Sequence, residues 1–403
     1  MNSNVNKHIY DFDAPVERRG TGCVKFDNLK KFYGREDLTP LWVADMDFEV
    51  APAISKALED RIGHHVYGYA VPSDGYIPSI INWVKNRYDL DVKPEEITYI
   101  PGIVRGIALV IDYFTKPGDK VLIQPPVYHP FKNLSVGNNR IVVENPLIQN
   151  PDGSYSMDIE GLEKIVKAER PRLMILCNPH NPAGIQWDEN TLRKVAQIAA
   201  SNDMIVISDE IHGDLMLDGK RHISFPTVSP EAKKVSIVFG APSKTFNIAG
   251  LVSSWAVIKN PEIRDGFFHW LEVNEFNAPT FFATIATEAA YNDSADWLDA
   301  LLDYLSGTID FMQQWFAENL PEVKVLRPDA SFLVWLDFRE LGLDHDRLVS
   351  IITDDAKLAL NDGAMFGKEG TGFMRFNIGT QRSVIKNALE QLKKVLQKAQ
   401  IVK

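Results

Sequence analysis

Cysteine is scarce in this sequence of 403 residues, which contains only Cys23 and Cys177. Two cysteines cannot build a disulfide framework or supply a four-ligand zinc site by themselves, and their scarcity is typical of a reducing compartment. Long apolar runs are also lacking, since none reaches the roughly 18 residues that span a bilayer. Residues 1–10 are polar and contain no apolar signal-peptide segment. We therefore expect a cytoplasmic protein that is neither secreted nor inserted in a membrane.

Positive charge is in deficit as well. The chain has 43 lysines and arginines against 54 aspartates and glutamates, which gives a formal net charge of -11. Such a balance disfavours an extended basic surface, so we expect neither nucleic acid nor anionic lipid as a partner.

Several signature motifs are absent. The sequence has no P-loop and no His-Glu-x-x-His zinc motif, and its nine histidines form no convincing metal cluster. Arg375 replaces the third glycine that a dinucleotide fingerprint would require after Gly370 and Gly372. We therefore expect no metal site.

Short apolar runs alternate with helical patterns between residues 97 and 243, which predicts crossover units around a parallel sheet. The clearest strand-like runs are 121–123, 173–176 and 205–208. Apolar residues at helical spacing, with a capping Asp188, predict a helix between the last two runs. Each run ends in polar residues, so we expect a ligand site at the carboxyl edge of the sheet.

The pattern changes after residue 287. An amphipathic region is followed by a strand-like run at 332–336 and a final helix from Ser383. We predict an α/β fold with three parts. These are an N-terminal segment, residues 1–50, that packs with the small domain; a large domain, 51–287, with a mostly parallel central sheet flanked by helices; and a smaller α+β domain, 288–403.

Lys244 and Asp209 are the first candidates for chemistry. Lys244 follows an apolar run, and a lysine at the end of a buried strand can lie beside a cofactor, where burial lowers its pKa enough for Schiff-base chemistry. In isolation, an exposed loop lysine is the commoner interpretation. Asp209 ends another strand and suits a protonated pyridine nitrogen, or it simply caps the next helix.

Three further candidates suit an anion or a polar ligand. Residues 102–104 open a helix whose backbone N–H groups favour a phosphate, although every helix has such a start. Asn181 lies in the turn-rich segment 178–184, where side-chain amides can face a ligand or merely shape the turn. Arg375 is a cation in an apolar strand, which suits bidentate binding of a carboxylate or a structural ion pair.

In chain order, these motifs resemble the fold-type I enzymes that depend on pyridoxal 5′-phosphate (PLP), and the resemblance covers nearly the whole chain. Three segments narrow it further: Trp-Val-Ala-Asp-Met-Asp-Phe at 42–48, Cys-Asn-Pro-His-Asn-Pro at 177–182 and Pro-Ser-Lys-Thr-Phe-Asn-Ile-Ala-Gly-Leu at 242–251. Together they resemble the MalY and PatB type of cystathionine β-lyase, a carbon–sulfur lyase within the class I and II aminotransferase superfamily.

The resemblance implies PLP as the cofactor and a set of residues that hold it. They are Lys244 as the Schiff base, Asp209 on the pyridine nitrogen, Asn181 on the phenolic oxygen, Tyr128 stacked on the ring, and Gly102, Ile103, Val104 and Ser243 at the phosphate. The family is homodimeric with shared active sites, so Tyr69 is expected to reach the phosphate from a partner subunit and to assist catalysis. Arg375, with Asn181, is expected to bind the substrate α-carboxylate.

The sequence departs from the wider aminotransferase pattern at several positions. His212, a further candidate for cofactor contact, stands where a tyrosine usually meets the phenolic oxygen. Ala241 and Val252 stand where many aminotransferases have serine and arginine, so phosphate binding is expected to rely more on neutral donors. The loop 360–367 also lacks the proline-glycine form of relatives.

The function implied is β-elimination of L-cystathionine or a related cysteine S-conjugate to a thiol, pyruvate and ammonia, with a small sulfur amino acid as substrate. Two alternatives remain open at this point. An aminotransferase uses the same cofactor and lysine, and a non-catalytic binding or regulatory protein can keep the same fold.

Overall fold

The computed structural model describes residues 10–402, and the predictions for residues 1–9 lie outside this part of the chain. The α-helices are α1 (Val24–Asp27), α2 (Leu29–Tyr33), α3 (Pro52–Ile62), α4 (Tyr76–Tyr88), α5 (Ile103–Phe114), α6 (Pro130–Gly137), α7 (Ile159–Glu169), α8 (Glu189–Ala200), α9 (Pro230–Val235), α10 (Pro242–Thr245), α11 (Pro261–Val273), α12 (Phe281–Asp293), α13 (Ala295–Asn319), α14 (His345–Ser350) and α15 (Arg382–Lys398). The strands are β1 (Thr39–Pro40), β2 (Ile97–Ile100), β3 (Lys120–Ile123), β4 (Ile141–Glu144), β5 (Ile148–Gln149), β6 (Tyr155–Ser156), β7 (Leu173–Cys177), β8 (Ile205–Asp209), β9 (Ser236–Gly240), β10 (Ser254–Val257), β11 (Lys324–Val325), β12 (Leu333–Asp337), β13 (Leu358–Ala359), β14 (Asn361–Asp362) and β15 (Phe373–Asn377).

The central sheet has seven strands in the order β2-β10-β9-β8-β7-β3-β4. Neighbouring strands from β9 to β4 are parallel, whereas β10 runs antiparallel to both β2 and β9. The three strand-like runs of the sequence are β3, β7 and β8. The helix between the last two is α8, where the Asp188 side chain accepts a hydrogen bond from Thr191 N at 3.0 Å. The prediction of a mostly parallel sheet flanked by helices is confirmed.

Both faces of this sheet are buried, which explains why its strands read as continuous apolar runs. In β3, Val121 and Ile123 pack in the same apolar cluster as Ile107 of α5. Leu122, between them, packs in the cluster of Leu192 of α8 on the other face. Successive side chains of a strand point to opposite faces, so one apolar strand supplies both layers of core.

The strand order reverses between β3 and β7. From β3 the sheet continues to β4 in one direction, and from β7 it continues to β8 and β9 in the other. Ligands of such sheets bind beyond the carboxyl ends of the strands at this reversal. Tyr128 follows β3, Asn181 follows β7 and Asp209 ends β8, so the topology gathers these three candidates at one edge.

A second sheet, β11-β12-β15-β14, is antiparallel and forms the core of the C-terminal part of the chain. The N-terminal segment contacts this part through β1, which pairs in parallel with β13. The boundary expected after residue 287 falls inside α12, a helix that packs against α3 and α4. The division into domains stays a prediction. Because α12 packs against α3 and α4, we propose to place its second boundary at Ser294, between α12 and α13.

The segment 42–48 lies between the two parts of the chain and is held from both sides. Asn247, close to Lys244 in sequence, accepts a hydrogen bond from Met46 N at 2.9 Å and donates to Met46 O at 2.8 Å. From the other side, Asn377 at the end of β15 donates to Asp45 O at 2.8 Å. Side-chain amides thus fix the backbone of this segment against both sheets.

The same segment carries a buried ion pair. The Asp47 carboxylate accepts hydrogen bonds from Lys25 Nζ at 2.7 Å and from an Arg18 guanidinium nitrogen at 2.6 Å. The Lys25 side chain is fully buried, with 0% exposure. Removing one partner of a buried pair leaves the other charge uncompensated in a medium of low dielectric constant.

We expect Asp47→Asn to lower the free energy of unfolding by about 3 kcal/mol, because it leaves the Lys25 ammonium buried without its counter-charge. The matched control is Asp60→Asn, which breaks the exposed pair between Lys56 and Asp60 on α3 and should change stability by less than about 0.5 kcal/mol. Urea unfolding of the purified variants measures both values. Equal effects in the two variants would contradict the assignment of Asp47 and Lys25 as a buried ion pair that stabilises the fold.

Candidate active site

A cavity of about 270 Å³ lies at the carboxyl edge of the central sheet. Nine of the residues singled out from the sequence line it: Gly102, Ile103, Val104, Tyr128, Asn181, Asp209, His212, Ser243 and Lys244. Arg375 lies beside the cavity and reaches it through Asn181, whereas Tyr69 does not line it. The structure therefore brings together all but one of the predicted site residues.

Lys244 lies in α10, a single helical turn that directly follows β9 and begins at Pro242. Its Nζ donates a hydrogen bond to the carbonyl oxygen of Ala44 at 2.6 Å. The next residue, Thr245, is anchored by a hydrogen bond of 2.9 Å from its hydroxyl to the buried Asp214 carboxylate. Burial lowers the pKa of Lys244 to about 8, with the charge of Asp45 opposing this shift and that of Arg375 adding to it. The amine is thus still mostly protonated at physiological pH, but a larger share of it is neutral than in an ordinary lysine.

Asp209 is a buried carboxylate at the end of β8. One of its oxygens accepts a hydrogen bond from Ile211 N at 3.2 Å. Desolvation raises its pKa to about 7, and the charge of Lys244 opposes the rise only weakly. A cationic group placed against this carboxylate would keep it ionised.

Arg375 is a buried cation that has no carboxylate partner among residues 10–402. One guanidinium nitrogen donates to Asn181 Oδ1 at 3.0 Å, and another donates to Asn361 Oδ1 at 2.5 Å. The buried Nε has no hydrogen-bond partner in the same part of the chain. Burial lowers the pKa of Arg375 to about 10. Neutral amide oxygens hold the group in place, while its charge remains available to an anionic ligand.

The phosphate end of the expected cofactor site is a helix N-terminus. Gly102 precedes α5 with a φ of 97°, a left-handed conformation that favours glycine, and the amides of Ile103 and Val104 form the first turn. Ser243 also lines the cavity. Arg105 also lines this cavity, so a cation that the sequence interpretation omitted accompanies the neutral donors.

His212 is buried on the cavity wall, and its Nδ1 has no hydrogen-bond partner among the residues that the structure describes. Burial lowers its pKa to about 3, and the nearby charges of Lys244 and Arg375 act in the same direction. The imidazole is therefore neutral at physiological pH. It can still donate one hydrogen bond to a ligand, as a tyrosine hydroxyl would.

Tyr69 is fully exposed, and its neighbours Val66, Tyr67 and Val71 are exposed as well. The structure therefore does not bring this residue to the cavity of its own chain. Tyr128, in contrast, is anchored at the cavity by its backbone N–H, which donates to Asn181 O at 3.1 Å.

Besides Arg105, two further contributors escaped the sequence interpretation. Ala44 acts through its backbone carbonyl, which leaves no signal in residue type. Asn361 lies in the loop that departs from its relatives, and its side chain accepts a hydrogen bond from Arg375. Asn361 and Arg375 lie opposite each other on the neighbouring strands β14 and β15. This pairing becomes visible only once the register of the two strands is known.

The free polar groups of the cavity match PLP in their chemistry. The buried carboxylate of Asp209 can pair with a protonated pyridine nitrogen. Lys244, with its lowered pKa, can form a Schiff base with the carbonyl carbon of the cofactor. The helix N-terminus suits a phosphate. Within residues 10–402, no group of three or more His, Cys, Asp or Glu side chains could hold a metal ion. No helix of that part has the length and apolar character to cross a bilayer.

Comparison with known proteins agrees with this geometry. Residues 36–392 match the profile of aminotransferase class I and II. Cystathionine β-lyase PatB of Bacillus subtilis is 39% identical over 96% of this chain and 100% of its own length. Protein MalY of Escherichia coli is 31% identical over 95% of this chain and 98% of its own.

Among solved structures, cystalysin from Treponema denticola, which contains a pyridoxal 5′-phosphate cofactor, superposes with a TM-score of 0.93 at 33% identity. The match covers 97% of this chain and 100% of cystalysin. The chain therefore belongs to the class I and II aminotransferase family and, within it, to the PLP-dependent, fold-type I enzymes of the PatB and MalY type.

Proposed function

We propose that this protein is a PLP-dependent carbon–sulfur β-lyase that cleaves L-cystathionine or a related cysteine S-conjugate into a thiol, pyruvate and ammonia. The observation that carries the proposal is the meeting of three groups at one cavity: a lysine of lowered pKa, a buried carboxylate without a cation and a buried arginine without an anion. The names of two relatives, cystathionine β-lyase PatB of Bacillus subtilis and cystathionine β-lyase of Corynebacterium glutamicum, support elimination over amino transfer.

When bound, PLP supplies an electron sink for negative charge that develops at the substrate Cα. Asp209 would keep the pyridine nitrogen protonated, and Lys244 would hold the carbonyl carbon of the cofactor. Tyr128 would contact the ring, and the amides of Ile103 and Val104 would hold the phosphate. The presence of all five residues on the wall of one cavity supports these roles.

The substrate is held by its α-carboxylate on Arg375. Because Arg375 also donates to Asn181 Oδ1, that amide is oriented with its Nδ2 group available to the phenolic oxygen of the cofactor. Once the substrate amine has displaced Lys244 from the cofactor, the freed lysine would take the proton from Cα, the bond between Cβ and sulfur would break, and the thiolate would leave with the electron pair. The remaining three-carbon unit is hydrolysed to pyruvate and ammonia.

We further propose a homodimer in which Tyr69 completes the active site of the partner subunit. The exposed apolar side chains of Val66, Tyr67, Tyr69 and Val71 support this arrangement, because a contiguous apolar patch favours burial against another surface. We also propose the cytoplasm as the compartment, in keeping with two cysteines that form no disulfide.

Incubation of the purified enzyme with L-cystathionine should yield equal amounts of pyruvate and free thiol without any added keto acid. Lys244→Ala should reduce the rate by about 10²- to 10⁴-fold, since it removes the group that takes the Cα proton. Lys233→Ala, a change at an exposed lysine of α9, is the matched control and should leave the rate unchanged. Strict dependence on a keto acid would instead identify an aminotransferase.

Stability of the cofactor-free protein should depend on pH through Lys244. Its pKa is lowered from 10.5 to about 8, so the buried ammonium destabilises the fold fully below pH 8 and the penalty disappears as pH rises through 10.5. We expect Lys244→Met to be more stable than the wild type at pH 7 by roughly 2–3 kcal/mol, and equal to it near pH 10.5. Urea midpoints across this range measure the difference. A difference in urea midpoint between Lys244→Met and the wild type that stays constant with pH would argue against a buried charged lysine.

Mixed dimers test the shared site. Lys244→Ala and Tyr69→Ala subunits, each weakly active alone, should regain about a quarter of wild-type activity when mixed, since half the dimers are hybrids with one intact site. Subunit exchange followed by the pyruvate assay measures the recovery. No recovery, in a mixture shown to contain hybrids, would place Tyr69 outside the partner's site.

A further inference from the structure

A buried contact between His222 and Glu210 lies next to the segments that carry Asp209 and Asn181. His222 Nε2 lies 2.8 Å from Glu210 Oε2, and both side chains have 0% exposure. Glu210 directly follows Asp209 at the end of β8. On the other side, His222 contacts Gln186, whose amide bonds to the turn that carries Asn181. The contact therefore adjoins both segments that are expected to face the cofactor ring.

Backbone groups fix the orientation of the side-chain amides in this region. Asn178 Nδ2 donates to Ile223 O at 2.9 Å, so Asn178 Oδ1 is the atom that faces Gln186. This oxygen accepts a hydrogen bond of 2.9 Å from Gln186 Nε2, which also donates to Trp187 O at 3.0 Å. Gln186 Oε1 therefore faces His222, and it also accepts from Ile223 N at 3.4 Å.

Both ring nitrogens of His222 thus face oxygen acceptors. Nδ1 lies 2.6 Å from Gln186 Oε1, an atom that carries no proton, so Nδ1 is the donor. Nε2 faces Glu210 Oε2, while Glu210 Oε1 accepts from Phe225 N and Ser208 Oγ, each at 2.8 Å. Imidazole is a stronger base than a carboxylate, so the proton between Nε2 and Oε2 belongs to the ring. His222 is then an imidazolium that pairs with a carboxylate.

The charges around His222 suit a cation. The rings of Tyr88 and His222 meet edge to face, with 4.9 Å between their centres, and the Tyr88 hydroxyl donates to Asp214 Oδ1 at 2.6 Å. The Asp214 carboxylate lines a cavity together with His222 and adds negative charge near the ring. The cations on the wall of this cavity each pair with another carboxylate: Arg87 with Asp299, Lys220 with Asp329, and Arg221 with Asp89.

We propose that His222 and Glu210 form a charged pair that positions Asn181 for the phenolic oxygen of the cofactor. The inference rests on the proposed PLP site. The pair acts through the amides described above, which end at Asn178, three residues before Asn181. The backbone N–H of Asn178 also donates to Asp209 O at 3.0 Å, so main chain and side chain together hold the start of the turn. Hydrogen bonds weaken steeply with misalignment, and a fixed turn keeps the Asn181 amide aligned.

Nitrogen-15 NMR of the enzyme labelled at histidine tests the charge of the pair. His222 should carry protons on both ring nitrogens near neutral pH. His345 is the internal control, because its Nδ1 accepts from Gly372 N at 3.0 Å. Only His345 Nε2, at 2.7 Å from Asp362 Oδ1, can then carry a proton. An unprotonated ring nitrogen on His222 in the wild type would overturn the proposal.

Glu210→Gln keeps the shape of the side chain and removes its charge. Because Phe225 N donates to the position of Oε1, the amide oxygen should take that position and the amide nitrogen should face His222 Nε2. His222 should then lose its Nε2 proton, and this change also identifies its NMR signal. Two protonated ring nitrogens in this variant would contradict the pairing of His222 with Glu210.

Cofactor affinity tests the positioning role. Equilibrium dialysis gives the dissociation constants of PLP and of the PLP analogue that lacks the phenolic oxygen. The ratio of the second constant to the first reports the contact with Asn181. His222→Gln and Glu210→Gln should each lower this ratio by about tenfold, the loss expected for one hydrogen bond to an ionised oxygen. Arg221→Gln, the matched control, removes an exposed cation beside His222 in sequence and should leave the ratio unchanged.

The two ligands separate a positioning role from a general loss of structure. Equal weakening of both ligands in a variant, with an unchanged ratio, would overturn the positioning role. If His222→Gln does not fold, the isosteric Glu210→Gln carries the same test. Equal binding of the two ligands by the wild type would instead show that Asn181 makes no contact with the phenolic oxygen. In that case the proposed cofactor contact fails, and the positioning role fails with it.

Discussion

Two asparagine amides hold the segment 42–48 between the two sheets, and the site geometry depends on them. Asn247 fixes the segment to the part of the chain that carries Lys244, and Asn377 fixes it to β15, which carries Arg375. Because Arg375 and Asn377 are two residues apart on one strand, their side chains leave the same face. The position of Arg375 relative to Lys244 is thereby set by hydrogen bonds between side-chain amides and the backbone of this segment rather than by a direct contact.

The cavity gathers charges that the fold leaves uncompensated. Asp209, Lys244 and Arg375 all have pKa values displaced toward their neutral forms, and in each case burial is the largest cause. Such displacements concentrate where a ligand supplies the missing charge. Elsewhere, at Asp47 and Lys25, the chain pairs its buried charges with each other. The paired charges stabilise the fold, whereas the unpaired charges of the cavity are free to bind a ligand.

Sequence patterns predicted the central sheet well because its strands are buried on both faces, and β3, β7 and β8 read as uninterrupted apolar runs. The identities of Lys244, Asp209 and Asn181 came from their positions after such strands together with the family resemblance. The contribution of Ala44 was invisible because a carbonyl oxygen belongs to every residue type. The contribution of Asn361 became visible only with the register of β14 against β15.

The hydrogen-bond acceptor for Lys244 Nζ is a main-chain oxygen, so it does not depend on which side chain stands at position 44. A side-chain acceptor can be deleted by one codon change, whereas the carbonyl of Ala44 persists through any replacement at that position. Only a change that displaces the whole segment removes it. A replacement at position 44 would therefore change the cavity wall but leave the lysine its hydrogen-bond acceptor, whereas a replacement of Asn247 or Asn377 would release the segment that carries this acceptor.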